Sequence, residues 1–207
     1  MTAIDTSKLK PGDKFCVQGD KWLSKEIVTN QVDYTLNRKF PWSEPRPREV
    51  SKALGGFVPS HWGTLFFIAG RWYIAESTVK GYKFHLLAKA YDNPNGYDMD
   101  DKFMVFRCKG GLTQDQQDQL LRFALELEQQ SITYGFFSLV YWELLTYAHV
   151  NLFSTMGESM ENCYETTHQL FSWLLPDLYP KESKAVPYWF PSRDDDMLII
   201  DNRNPIK

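Results

Sequence analysis

The sequence predicts an α+β fold in which an antiparallel sheet or small barrel packs against a few helices. The apolar runs with strand character lie mostly within residues 14–108, and the patterns with helical spacing lie mostly within residues 113–175. Because the two kinds of pattern follow one another and do not alternate, they indicate an α+β protein and not a parallel α/β protein. The chain of 207 residues is long enough for one well-cored domain.

The strands are predicted from turn signals and from short aromatic or β-branched runs. A Pro11-Gly12-Asp13 turn precedes a short strand at residues 14–17. Residues 61–68 and 72–76 form two apolar runs separated by Ala69-Gly70-Arg71, a pattern typical of a hairpin. Further strands are predicted at residues 84–87, 103–108 and 197–200.

The helices are predicted from capping signals and apolar spacing. Thr113 and Gln116 form a capping box ahead of apolar residues that recur at helical intervals. A second helix is predicted within residues 136–149, and a third from near Ser159 to just before Pro176. A shorter helix is predicted at residues 22–29.

The sequence indicates a single domain over residues 1–207, with an insertion at about 34–59 and a C-terminal extension at about 180–207. The insertion is predicted because it holds four prolines and a Gly55-Gly56 pair, and loops of that length are usually functional or mobile. Within the extension, Asp194-Asp195-Asp196 is predicted to be a solvated turn.

Composition argues against several functional classes. A net charge of −3 without a basic block argues against a nucleic-acid partner. Three cysteines at wide spacing suggest neither a zinc ribbon nor a disulfide scaffold, and they fit a reducing cytoplasm. No signal peptide is readable, and residues 136–153 are too polar for a confident membrane span, which leaves contact with a membrane surface open. No cofactor motif or metal set is present, so neither group is expected.

Cys163 is the candidate nucleophile because it falls just inside the predicted start of the third helix. A helix N-terminus presents free N–H groups and a partial positive charge, which favour a thiolate and can stabilise an oxyanion. The alternative is that Cys163 is a small buried apolar residue, which is the commonest fate of a free cysteine.

His61 and Glu76 are the candidate partners of that cysteine. His61 begins a strand after a loop, and an imidazole suits proton transfer near neutral pH. Glu76 ends the next strand, where a carboxylate can hold the imidazole ring. Counted from Gly70, His61 lies nine residues before the turn and Glu76 six after it, so a bulge or long turn is required. The alternatives are that His61 is a surface or strand-end histidine without a function and that Glu76 is a solvated glutamate at a strand edge. His85 and His149 have no acidic or cysteine neighbours at ligand spacing.

The order of these motifs resembles the circularly permuted papain-like proteins of the NlpC type, in which histidine precedes cysteine. The motifs most similar to the YiiX/YaeF-like amidase group are Pro11-Gly12-Asp13, Ser60-His61-Trp62-Gly63, Ile74-Ala75-Glu76 and Asn162-Cys163-Tyr164-Glu165. This resemblance spans about residues 9–175 and implies a papain-like fold with a catalytic triad of Cys163, His61 and Glu76. Ser77 and Asn162 depart from it, because the group has alanine and tyrosine at these places.

The resemblance implies a cysteine hydrolase of the amidase or peptidase kind, which acts through a thioester on a peptide-like or lipid-linked acyl substrate. One alternative is a lipid acyltransferase or lipid hydrolase. His61-Trp62 and Asn162-Cys163 are similar to motifs of the lecithin:retinol acyltransferase group, whose third site member is a second histidine. The other alternative is a catalytically inactive binding or structural module with the same fold.

Overall fold

The computed structural model describes residues 4–18, 57, 59–78, 81–87, 102–130, 133–134, 160–161, 163–179 and 196–202. The helices predicted at residues 22–29 and 136–149, and nearly all of the insertion at 34–59, lie outside these residues. The strands are β1 (Lys14–Gln18), β2 (His61–Ile68), β3 (Arg71–Thr78), β4 (Gly81–Leu86), β5 (Lys102–Cys108), β6 (Thr133–Tyr134), β7 (Met160–Glu161) and β8 (Asp196–Asn202), and the helices are α1 (Gln114–Gln129) and α2 (Cys163–Leu174).

The described strands form one large antiparallel sheet and one small parallel pair. The large sheet has six strands in the order β4-β3-β2-β1-β5-β8, and all its neighbouring strands are antiparallel. The strands β6 and β7 pair separately and run parallel. With α1 and α2 packed against the sheet, this arrangement confirms the α+β prediction, and β8 confirms the last predicted strand.

The β2–β3 hairpin turns more tightly than the sequence predicts. Ile68 pairs with Arg71, which leaves Ala69 and Gly70 as a two-residue turn. Both turn residues have positive φ, 49° and 77°, as a type I′ turn requires. This turn fixes the register, with Thr64 opposite Ala75, and continuation of that register places Glu76 opposite Gly63.

The two faces of the sheet contribute to two separate apolar clusters, because successive strand residues point to opposite sides. The cluster beneath the helices includes Trp62, Phe66, Ala75, Leu120, Ala124, Leu170 and Phe171. The cluster on the other face includes Phe15, Val17, Leu65, Ile74, Phe103 and Val105. The sheet is therefore covered on both faces around β1 and β2.

The Pro11-Gly12-Asp13 turn joins three strands. Gly12 has φ 86°, and a Cβ there would lie 2.4 Å from Leu112 Cδ1. The Gly12 N–H donates to Leu65 O, and the Leu65 N–H donates to Asp13 O, both at 2.8 Å. The Asp13 carboxylate accepts two hydrogen bonds from Arg107 of β5, at 2.7 and 2.8 Å. The turn is therefore an architectural element that locks β1 to β2 and β5.

The start of α1 agrees with the prediction, whereas the start of α2 does not. The Thr113 hydroxyl accepts from the Gln116 N–H at 3.3 Å, and the Gln116 amide oxygen accepts from the Thr113 N–H at 2.9 Å. The third predicted helix begins at Cys163 and not near Ser159. Met160 and Glu161, which lie between these two positions, form β7, because pairing with β6 overrides the local signal for a helix N-cap.

Lys14 is fully buried and is paired with Asp196. Its Nζ lies 2.5 Å from Asp196 Oδ1 and donates to the Tyr179 hydroxyl at 2.7 Å. That hydroxyl donates to Asp196 Oδ1 at 2.8 Å, and the ammonium lies over the rings of Tyr179 and Phe171. The prediction of a solvated turn is therefore wrong for Asp196, because folding brings a buried cation from the other end of the chain beside it.

We expect Asp196→Asn to lower the free energy of unfolding by about 3 kcal/mol, since it removes the carboxylate charge that pairs with the buried Lys14 ammonium. Urea unfolding followed by tryptophan fluorescence measures this loss. The exposed Asp177→Asn serves as the control and should stay within about 0.5 kcal/mol of wild type. Adding Lys14→Met to Asp196→Asn should recover part of the loss, and a double variant less stable than Asp196→Asn would contradict this account.

Candidate active site

The backbone of His61 is fixed where β2 begins. His61 pairs with Val17 at the end of β1. The preceding residue, Ser60, donates to Val17 O twice, from its N–H at 2.8 Å and from its hydroxyl at 3.2 Å. The His61 side chain is 21% exposed, so the ring is mostly covered but still meets solvent. These contacts hold the imidazole at the end of the sheet where β2 begins and β3 ends.

Glu76 reaches His61 diagonally across the hairpin. The His61 Nε2 and Glu76 Oε2 atoms lie 2.5 Å apart. The register places Glu76 opposite Gly63, two residues along β2 from His61 and on the same face of the sheet. Diagonal neighbours are within reach of long side chains, and Gly63 leaves no side chain between them. A diagonal contact therefore takes the place of the bulge or long turn that the sequence analysis required.

Cys163 is the first residue of α2, and its side chain lies close enough to the His61 ring to raise the pKa of that ring. The cysteine is 4% exposed. The structure therefore brings the three predicted site residues together, with the imidazole paired to the carboxylate and close to the Cys163 side chain.

The pKa of His61 is raised well above its ordinary value of 6.5. Burial by itself lowers this pKa, but the negative charges of Cys163 and Glu76, together with the hydrogen bond to Glu76, outweigh burial. The site thus favours a protonated imidazole beside the Cys163 side chain. A thiolate is the form of cysteine that attacks carbonyl carbon.

The first turn of α2 supplies donors close to the sulfur atom. Backbone N–H groups in a first helical turn have no partner within the helix, and they point toward the N-terminus. The Thr167 hydroxyl donates to Cys163 O at 2.9 Å, which anchors this turn. Such N–H groups are suited to hold the oxyanion that forms when a thiolate adds to a carbonyl.

His85 is a site neighbour that the sequence analysis did not assign. Its Nε2 lies 3.8 Å from Glu76 Oε1, the carboxylate oxygen that does not contact His61. This Nε2 is buried and has no hydrogen-bond partner among the described residues. The signal that could have found His85 is the β3–β4 register, in which Ile74 pairs with His85, and not spacing along the chain.

Two further findings concern the described part of the chain. In that part, no three or more His, Cys, Asp or Glu residues are grouped so as to hold a metal ion. Neither described helix has the length and apolar character needed to cross a membrane.

The chain was compared with protein-family models, with curated proteins and with solved structures. No protein-family model matches it, and no curated protein matches it. Among solved structures it is similar to the metalloprotein YiiX from Escherichia coli O157:H7, with 17% identity and a TM-score of 0.49 over 84% of this chain and 71% of that chain. So distant a likeness carries neither an activity nor a ligand from one protein to the other.

We expect the pKa of His61 to lie well above 6.5 and to fall when either neighbouring negative charge is removed. Cys163→Ala and Glu76→Gln each remove one charge. Together they should bring the pKa below 6.5, because burial then acts alone. Titration of the histidine ring signals by NMR measures these values, with Cys108→Ala as the control. A His61 pKa that is unchanged in both single variants would contradict the charge pairing.

Proposed function

We propose that this protein is a thiol hydrolase that cleaves a peptide-like amide through Cys163, His61 and Glu76. The observation that carries the proposal is that the His61 ring pairs with the Glu76 carboxylate and that the Cys163 side chain raises the pKa of the same ring. A nucleophile, a base and a group that orients the base are the three parts of a covalent acyl-transfer site. An antiparallel sheet that presents the histidine to a cysteine at the start of a later helix also suits the circularly permuted papain-like arrangement.

In the first half of the reaction, the Cys163 thiolate attacks the amide carbonyl carbon and a C–S bond forms. The carbonyl electron pair moves onto oxygen, and first-turn N–H groups of α2 hold the resulting oxyanion. When the oxyanion collapses, the C–N bond breaks and the His61 imidazolium donates its proton to the departing nitrogen. The products are an amine and a thioester on Cys163.

In the second half, water is the nucleophile. Neutral His61 takes a proton from water as the oxygen attacks the thioester carbonyl. Collapse of this second oxyanion breaks the C–S bond, which releases a carboxylic acid and restores the thiolate beside a protonated His61. Glu76 stays a carboxylate throughout and holds the ring in one orientation.

A lipid acyltransferase or lipid hydrolase is the second candidate, and His85 favours it. The lecithin:retinol acyltransferase resemblance implies a second histidine at the site, and His85 lies beside the Glu76 carboxylate. In that reaction the thiolate attacks a lipid ester, and the alcohol departs in place of an amine. Glu76, which contacts His61 directly, favours the amidase over this alternative.

We expect iodoacetamide at pH 7 to alkylate Cys163 at least about tenfold faster than Cys16 or Cys108. Burial raises the pKa of both other cysteines, so they serve as controls within the same chain. His61→Ala should slow alkylation of Cys163 at least about tenfold, because the thiolate loses its cationic partner. Mass spectrometry of tryptic peptides measures all three rates. Equal slow labelling of the three cysteines would favour the catalytically inactive module.

We expect peptide-like amide substrates to leave a thioester on Cys163 that intact-protein mass spectrometry detects. Glu76→Gln should lower the turnover number by roughly 10²-fold or more, because the amide cannot stabilise a protonated His61. The exposed Glu126→Gln on α1 is the matched control and should keep full turnover. Parallel assays with short-chain phospholipid esters separate the two candidate functions. Acylation of Cys163 by the lipid esters alone would favour the acyltransferase.

A further inference from the structure

A pair of buried hydroxyl groups connects the strand that carries Glu76 to the helix that begins at Cys163. Ser77 Oγ of β3 and Thr166 Oγ1 of α2 lie 2.7 Å apart. Ser77 is 1% exposed and Thr166 is 0% exposed, so water does not compete for this hydrogen bond. A buried hydrogen bond between two elements restricts their relative position.

The positions of the two hydroxyls link this bond to the site. Ser77 directly follows Glu76, and successive strand residues point to opposite faces, so Glu76 points toward His61 while Ser77 points toward α2. Thr166 lies three residues after Cys163, which places it one turn further along the same side of α2. The hydrogen bond thus joins β3 to α2. On β3 it lies one residue from Glu76, and on α2 it lies one helical turn from Cys163.

The remaining packing between β3 and α2 is less directional. Ala75 of β3 shares an apolar cluster with Leu170 and Phe171 of α2. Apolar burial depends on the area removed from water and not on direction, whereas a hydrogen bond has a defined length and angle. The hydroxyl pair can therefore fix a separation that the apolar contacts leave adjustable.

We propose that Ser77 and Thr166 are positioning residues that set the distance between Cys163 and the His61–Glu76 pair. This inference rests on the proposed function, since it assigns a role in the same reaction. Neither hydroxyl takes part in bond making. Their contribution is the alignment of the thiolate with the imidazole, to which acyl transfer is sensitive because a misplacement of about 1 Å costs roughly 10²-fold in rate.

The test uses Ser77→Ala, Thr166→Val and the double variant. Thr166→Val takes the hydrogen-bond partner from the buried Ser77 hydroxyl, and Ser77→Ala removes the same hydrogen bond, so each should lower the urea midpoint of unfolding. The double variant removes both hydroxyls, and its urea midpoint should return close to that of wild type. This set of variants therefore separates an effect on the stability of the fold from an effect on the alignment of Cys163 with His61.

The measured quantities are the rate of Cys163 alkylation by iodoacetamide and the His61 titration by NMR. The double variant should regain stability, yet its alkylation rate should stay at least about tenfold below wild type. The pKa of His61 should fall in the same variant, because the negative charge of Cys163 moves away. A double variant that alkylates within about twofold of wild type overturns the proposal.

Thr64→Val is the matched control. Thr64 is a fully buried threonine on β2, and its hydroxyl has no hydrogen-bond partner among the described residues. In the Thr64→Val variant, Cys163 should be alkylated at the wild-type rate. If the proposed thiol hydrolase function is wrong, the result differs from failure of the positioning role. In that case Cys163 of the wild-type chain would itself be alkylated no faster than Cys16 and Cys108.

Discussion

The hydrogen bond between His61 Nε2 and Glu76 Oε2 is the interaction on which the arrangement of the site depends. It holds the imidazole in one orientation, and the carboxylate charge favours the protonated ring. The Cys163 side chain also raises the pKa of this ring, and all three side chains are largely buried. Burial of any one of them alone would be costly, whereas burial of the set is compensated by the contacts within it.

The rest of the structure supplies a stiff frame for this set of contacts. The Asp13–Arg107 pair fixes the turn before β1 to β5, and the buried Lys14–Asp196 pair ties β1 to β8. The strand that carries His61 pairs directly with β1, so the ion pairs that fix β1 also fix the backbone of the histidine. Buried ion pairs contribute little net stability, but they fix relative position, which is what a catalytic constellation requires.

Prediction from the sequence worked best where the signal is local. The β2–β3 hairpin and the capping box of α1 are set by residues close together in the chain, and both were found. Two predictions failed where distant pairing decided the outcome. The sequence predicts a solvated Asp196, because no residue near it in the chain indicates that Lys14 reaches it. Local signals predict that α2 starts near Ser159, because they do not contain the β6–β7 pairing, which joins segments remote in sequence.

The sequence by itself determined the fold class, the hairpin and the residue types from which a Cys-His-carboxylate site can be built. These follow from apolar period and turn chemistry, which act over a few residues. The tertiary structure decided which groups meet. The strand register brought Glu76 diagonally to His61 and His85 to the other carboxylate oxygen, and helix packing brought Cys163 to the imidazole. Contacts of this kind depend on directions in space between distant segments, and spacing along the chain does not encode those directions.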